Sequence, residues 1–151
     1  MEMLTNRIDI AGKITGGITL SHTVFEERFF SSFMEIKRLS GSTDIIPITI
    51  PEKIIINSGL SDGAFVRMDG QLRSYNYYLK VNNLDENRRS KLVVTAFCKS
   101  VFPFDGYIND VQLDGFVCKN PVYRSTPFGK QITDILVAVN RNYGKSDYIP
   151  V

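Results

Sequence analysis

Aromatic and cationic side chains are interleaved along three stretches of this 151-residue chain. The first holds Arg28, Phe29, Phe30, Phe33, Lys37 and Arg38; the second Arg73, Tyr75, Tyr77, Tyr78 and Lys80; the third Tyr123, Arg124, Phe128, Lys130, Arg141, Tyr143, Lys145 and Tyr148. That mixture suits an unpaired nucleic-acid strand, because each base offers a π-face to a ring while cations follow the phosphates. Stacking contributes about 1–3 kcal/mol per base, so about three or four exposed rings give useful affinity with little sequence preference. Alternation along a strand turns one of two neighbours inward, so Phe33 and one of Phe29 and Phe30 are expected in the core. Tyr75, Tyr143 and Tyr148 are expected at the surface, and Arg38 and Arg141 either on phosphates or in structural salt bridges.

Catalytic chemistry is not suggested. The single histidine, His22, lies in the polar run Leu20-Ser-His-Thr23 and reads as a solvent-facing loop residue. Gly144-Lys145-Ser146 has the end of a phosphate-binding loop, but Val139 stands where that loop needs its first glycine. The acidic pairs Glu26-Glu27 and Asp85-Glu86 lie in polar stretches with no ligand or base beside them and read as solvated surface. Cys98 and Cys118 have no CxxC partner and no nearby histidine, and two buried, reduced thiols are expected. Neither a metal nor another cofactor is expected. Lys+Arg 18 against Asp+Glu 16 leaves a formal charge of +2, so a polyanion must be held by local patches. No apolar run approaches the roughly 18–20 residues of a membrane span, and MEMLTNR lacks the basic-then-apolar order of a signal peptide. A cytoplasmic protein without membrane contact is expected.

The elements that must position these residues are organised by a repeat. Residues 6–48 lie over 109–151 without a gap, matching Asn6/Asn109, Gly12/Gly115, Thr23/Thr126, Phe25/Phe128, Arg38/Arg141, Gly41/Gly144, Asp44/Asp147, Ile46/Ile149 and Pro47/Pro150. Apolar pairs such as Ile8/Val111, Phe33/Leu136 and Ile36/Val139 keep the same register. The second copy reaches only its third strand at Val151, so the chain reads as cut short. That half must lean on the first unit or on another copy.

Within the first copy and its continuation, residues 6–14 alternate as a strand that bends at Gly12, and Thr15–Leu20 with Gly16-Gly17 reads as a turn. Arg28–Leu39 follows as a second strand, and Thr43–Pro51 as a third whose prolines suggest an edge or rim. Glu52–Asn57 reads as one helical turn, weakened by three consecutive isoleucines. Ala64–Tyr75 is a fourth strand, 82–90 an exposed loop and Lys91–Lys99 a fifth strand. A small sandwich has a similar strand count, but a tight second connection followed by a helical interruption before the fourth strand describes a curled barrel. The expected fold is therefore all-β: a five-stranded OB-fold barrel over residues 1–104, with a partial second OB-like unit over 105–151.

The second copy also resembles a known family. Asn109-Asp-Val-Gln-Leu-Asp-Gly115 is similar to the opening strand of bacterial single-stranded DNA-binding proteins, and Pro121-Val-Tyr-Arg-Ser-Thr-Pro-Phe-Gly129 to their hairpin. Ala138-Val-Asn-Arg-Asn-Tyr143 with Ser146-Asp-Tyr-Ile-Pro150 is similar to the run into the third strand, and Gly70-Gln-Leu-Arg-Ser-Tyr-Asn76 to the fourth strand and its loop. The arrangement resembles two-unit members from spore-forming Gram-positive bacteria.

The resemblance implies a non-catalytic binder of single-stranded DNA in replication, recombination and repair, working as a homo-oligomer. It puts Tyr148 at a stacking position, Arg124 and Arg141 near the strand path, Tyr143 in the intervening loop and Ile45 where the first copy loses a platform. Arg73 and Tyr75 then become the first unit's expected contacts. The acidic tail through which relatives recruit replication or repair proteins is not seen. The alternative is a primosome-type accessory or protein-interaction OB module with weak DNA binding.

Overall fold

The structure, a computed structural model, describes residues 5–79, 89–141 and 144–151. The loop expected over 82–90, Lys80 and Tyr143 lie wholly or largely outside them, as does the side chain of Tyr78. The described residues gather into two compact units. One combines Asn6–Leu72 with Thr95–Gln112; the other is built from Arg73–Val94 and Leu113–Val151.

The first of these contains the barrel. Strand β1 (Asn6–Val24) pairs antiparallel with β2 (Glu27–Lys37) and with β4 (Phe65–Leu79). Strand β2 pairs with β3 (Thr43–Pro51), which meets β5 (Arg89–Pro103) in parallel, and β5 lies beside β4. The ring of pairings therefore closes as β1-β2-β3-β5-β4-β1, the OB-fold barrel expected from the order of elements. Strand β6 (Ile108–Leu113) adds to β1. Inside the barrel Ile8, Ile10, Ile14, Met34, Ile36, Ile48, Ile50, Met68, Ala96 and Cys98 form one contiguous core. Each fully buried isoleucine or methionine there contributes about 1.5–3 kcal/mol.

Several local expectations are corrected. Gly16 and Gly17, with φ of 79° and 78°, do not make a turn. They absorb extra residues of β1 in a bulge, since the register passes from Thr15↔Phe33 to Thr19↔Ser31, and β1 runs on to Val24. The turn falls instead at Phe25 and Glu26. His22 is consequently an exposed strand residue, not a loop residue. Strand β3 is not an edge: it lies between β2 and β5, and its pairing with β5 is confined to Ile48 and Thr49, between Pro47 and Pro51. Helix α1 (Glu52–Ser58) forms despite its isoleucines because Ile54 and Ile55 pack against the core, and left-handed Gly59 closes it with an N–H donated to Ile55 O at 3.0 Å. Cys98 is buried, but Cys118 is exposed.

The second unit holds β7 (Phe116–Val117), β8 (Val122–Ser125), β9 (Gln131–Asp134), β10 (Leu136–Asn140) and β11 (Ser146–Pro150). Their pairings reproduce those of the first copy at the repeat spacing. Glu35↔Ile45 becomes Ala138↔Tyr148, Lys13↔Glu35 becomes Phe116↔Ala138, and Thr19↔Ser31 becomes Val122↔Asp134. The glycine shared by the two copies has a physical reason. A Cβ at Gly12 would collide with the Glu35 carbonyl oxygen, and one at Gly115 with the Ala138 carbonyl oxygen.

Candidate nucleic-acid interface

Alternation sorts β2 into two rows. Met34 and Ile36 enter the core, whereas Phe29, Ser31, Phe33, Glu35 and Lys37 face outward. Directly opposite residues share a face, so Ile45, Pro47 and Thr49 of β3 and Phe97 of β5 join that outer row. Phe33, expected in the core, is 42% exposed, lying opposite Thr15 on one side and Pro47 on the other. Phe29 and Phe30 are both half-buried.

On the same face three rings form a ladder. His22 stacks on Phe29 with centroids 4.9 Å apart and planes inclined by 14°, and Phe29 meets Phe97 at 5.8 Å. Thr49 and Thr95 share a buried hydroxyl contact of 2.9 Å beside them. Sequence reasoning missed His22, Phe29, Phe33 and Phe97 as a group. The signal was present in the single-residue alternation of β2, which places Phe33 with Glu35 and Lys37.

Of the cations singled out in the sequence, four are held by carboxylates, the first being Arg28, whose Nε lies 2.5 Å from Glu52. Arg38 Nε and Nη2 donate to Asp44 at 2.8 and 2.6 Å in an exposed fork, and this hydrogen bonding holds the Asp44 carboxyl below its ordinary range. Arg124 Nε donates to Asp134 at 2.7 Å across β8 and β9, with the same effect on Asp134. Arg141 Nε donates to the fully buried Asp147 at 2.6 Å.

The fork of the second copy is built into a larger network within its unit. The Ser74 N–H donates to Asp147 at 2.8 Å, Arg141 Nη2 donates to Ser74 O at 3.4 Å, and the Tyr148 N–H donates to Ser74 Oγ at 2.7 Å. Arg73 is half-buried next to it; burial, then the charge of Arg141, lowers its guanidinium from its ordinary value. The structure thus brings Arg73, Tyr75, Arg141 and Tyr148 into one unit, joined through Ser74. Tyr75 is 52% exposed, Tyr148 44% and Phe128 95%. Lys37, Lys99, Lys130 and Lys145 are exposed and enter no ion pair described among these residues. Among the described residues no three His, Cys, Asp or Glu side chains converge as a metal ion would require, and no helix is long and apolar enough to cross a membrane.

A closed five-stranded barrel with its helix between the third and fourth strands and ring faces on its outer surface defines an OB-fold protein. No protein-family model and no curated protein sequence matches the chain. Among solved structures, the N-terminal domain of the PriB protein from Thermoanaerobacter tencongensis, described as dimeric, is 31% identical. It covers 66% of this chain and 97% of its own, with a TM-score of 0.53. The chain belongs to the OB-fold family of that domain. The single-stranded DNA binding protein of Thermus aquaticus superposes over 96% of this chain and 71% of its own at a TM-score of 0.70 and 17% identity. The mitochondrial single-stranded DNA binding protein of S. cerevisiae does so over 69% and 99%, at 0.51 and 18%. These two share the fold.

Proposed function

We propose that the chain is a non-catalytic binder of single-stranded DNA. The observation that carries this reading is the outward row of rings on β1, β2 and β5, lying on the strand face by which OB folds hold oligonucleotides. Phe33 and Tyr148 are the most accessible ring faces of the two strand pairs, and the His22–Phe29–Phe97 ladder supplies neighbouring stacking area. Tyr75 and Phe128 add exposed rings. Tyr143, outside the described residues, keeps the role the family resemblance gives it.

The arginines divide by environment. Arg38 and Arg124 are exposed and can offer remaining N–H groups to phosphates while fixed by Asp44 and Asp134. Arg141, matched by a buried carboxylate and a backbone oxygen, is a positioning residue for Ser74 and Tyr148. Arg73 lies beside that network. The unpaired lysines supply most of the phosphate neutralisation.

We read residues 1–104 as one OB unit and 105–151 as the opening strands of a second, as in two-unit relatives of spore-forming bacteria. The repeated register supports this. A cytoplasmic homo-oligomer serving replication, recombination and repair follows from the same reading, and the PriB domain of the same family is a dimer. The alternative, an accessory or interaction module with feeble DNA binding, is favoured by the number of arginines already ion-paired and by Ile45.

Titration of a labelled dT oligonucleotide at two salt concentrations decides between them. Binding whose logarithm falls by about 0.7 per phosphate neutralised per decade of salt supports the proposal. Undetectable or salt-independent binding rejects it.

A further inference from the structure

The two hairpins of the repeat each end on a phenylalanine held almost wholly in water. Phe25, between β1 and β2, is 99% exposed, and Phe128, between β8 and β9, is 95% exposed. They occupy the same position of the repeat, yet their turns are built differently. Phe25 and Glu26 form a two-residue loop with φ of 48° and 67°. That left-handed geometry prefers Asn-Gly and strains a bulky side chain.

The second turn is relaxed. Gly129 takes the left-handed position at φ 81°, its N–H donates to Thr126 O at 2.9 Å, and the Lys130 N–H donates to Thr126 Oγ1 at 3.1 Å. The first hairpin has a bulge between Leu20 and His22 that brings Val24 opposite Glu27; the second pairs Ser125 with Gln131 and needs a longer loop. Two backbone solutions therefore present one side chain in the same manner. Neither ring packs against its own chain, and the first turn keeps its ring on a left-handed backbone that favours Asn-Gly.

We infer that Phe25 and Phe128 are paired tip platforms, each stacking on an unpaired base beyond the outer row of the barrel strands. The inference rests on the reading of the chain as a binder of single-stranded DNA. It extends that surface to a residue outside the strand rows, Phe25, and assigns both tips the same role. The neighbouring charges rank them. Phe128 has the unpaired Lys130 two residues away to hold a phosphate, whereas Phe25 stands beside Glu26 and Glu27, which repel one. Phe128 is thus the stronger platform, and Phe25 contributes ring area alone.

The chain contains no tryptophan, so Phe25→Trp and Phe128→Trp each introduce a single reporter. Each variant is titrated with oligo-dT while the anisotropy of a labelled oligonucleotide is followed in parallel. Quenching at both tips with the midpoint of the anisotropy curve, larger at position 128, is expected. Phe25→Ala and Phe128→Ala should retain the wild-type circular dichroism and weaken binding by about five- to a hundredfold, the range of one stacked base. Binding by anisotropy with either tip silent overturns the pairing of the tips and leaves the barrel reading standing. A flat anisotropy curve overturns both.

Discussion

The two copies of the repeat keep one backbone and differ in what they put on it. Register, the glycine-to-carbonyl approach at Gly12 and Gly115, and the Arg–Asp fork at Arg38–Asp44 and Arg141–Asp147 recur. Each turn beside the fork is also closed alike: Arg38 N donates to Ser42 O and Arg141 N to Lys145 O, both at 2.7 Å. The outer face does not recur. The first copy carries its accessible ring on β2, as Phe33, and has Ile45 opposite Glu35; the second carries Leu136 at the β2 position and its ring on β11, as Tyr148. The forks differ too, since Asp44 is partly exposed whereas Asp147 is buried under Ser74. Positions set by backbone geometry are shared and the outward strand rows have diverged, while the exposed hairpin tips keep Phe25 and Phe128.

The largest expected break in this comparison is Arg141→Ala against Arg38→Ala. Removing Arg141 strips the buried Asp147 of its forked partner and leaves it the charge of the neighbouring Arg73, at a cost of about 3 kcal/mol to its unit. The surface fork at Arg38 should lose little. Urea unfolding, with amide exchange read at Ser74, separates them: early exchange at Ser74 in the first variant only is expected.

Next in size is the reciprocal swap of the stacking position. Tyr148→Ile should weaken oligo-dT binding by about five- to a hundredfold. Ile45→Tyr, at a half-exposed site with room outward, should strengthen it by less, because the added ring lies beside the existing Phe33 rather than replacing a bare surface. Equal affinity of both variants to wild type would mean that neither strand pair contacts bases.

A smaller difference lies in the thiols. Burial pushes the Cys98 thiol up to about 12, while Cys118 is exposed, so a thiol reagent at neutral pH should label Cys118 alone in the folded chain. The smallest concerns acid. Asp44 and Asp134 are lowered by their arginine partners, so the stability they lend is present above the unfolded carboxylate value near 3.9 and is lost as pH falls through their lower folded values. Titration by carbon NMR should place both midpoints below that value, and Arg38→Ala should restore Asp44 alone.

Much of the barrel was legible in the sequence. The order of five strands, the helix after Pro51 and the third strand over Thr43–Pro51 follow from alternation and turn residues, and the repeat spacing fixed which residues are equivalent. The bulge was not legible, because Gly16-Gly17 carries the same local signature in a turn and in a strand that must absorb extra residues. The outward placement of Phe33 is not visible from its immediate neighbours; it follows from the whole row of β2, in which Phe33 alternates with the buried Met34 and Ile36 and shares a face with Glu35 and Lys37. The ladder needed the parallel meeting of β3 and β5, which brings Phe97 to Phe29 across a long separation in sequence. The Ser74 network needed tertiary structure outright, as nothing local links that residue to Asp147.

Ultraviolet cross-linking of oligo-dT to the full chain, with the adducts mapped to single residues, tests the central claim most directly. Adducts on Phe29, Phe33, Phe97 and Tyr148 are expected. Adducts confined to Phe102 and Phe104, whose rings lie against Arg67 in the Arg67–Asp9 ion pair, or no adducts at all, would contradict it.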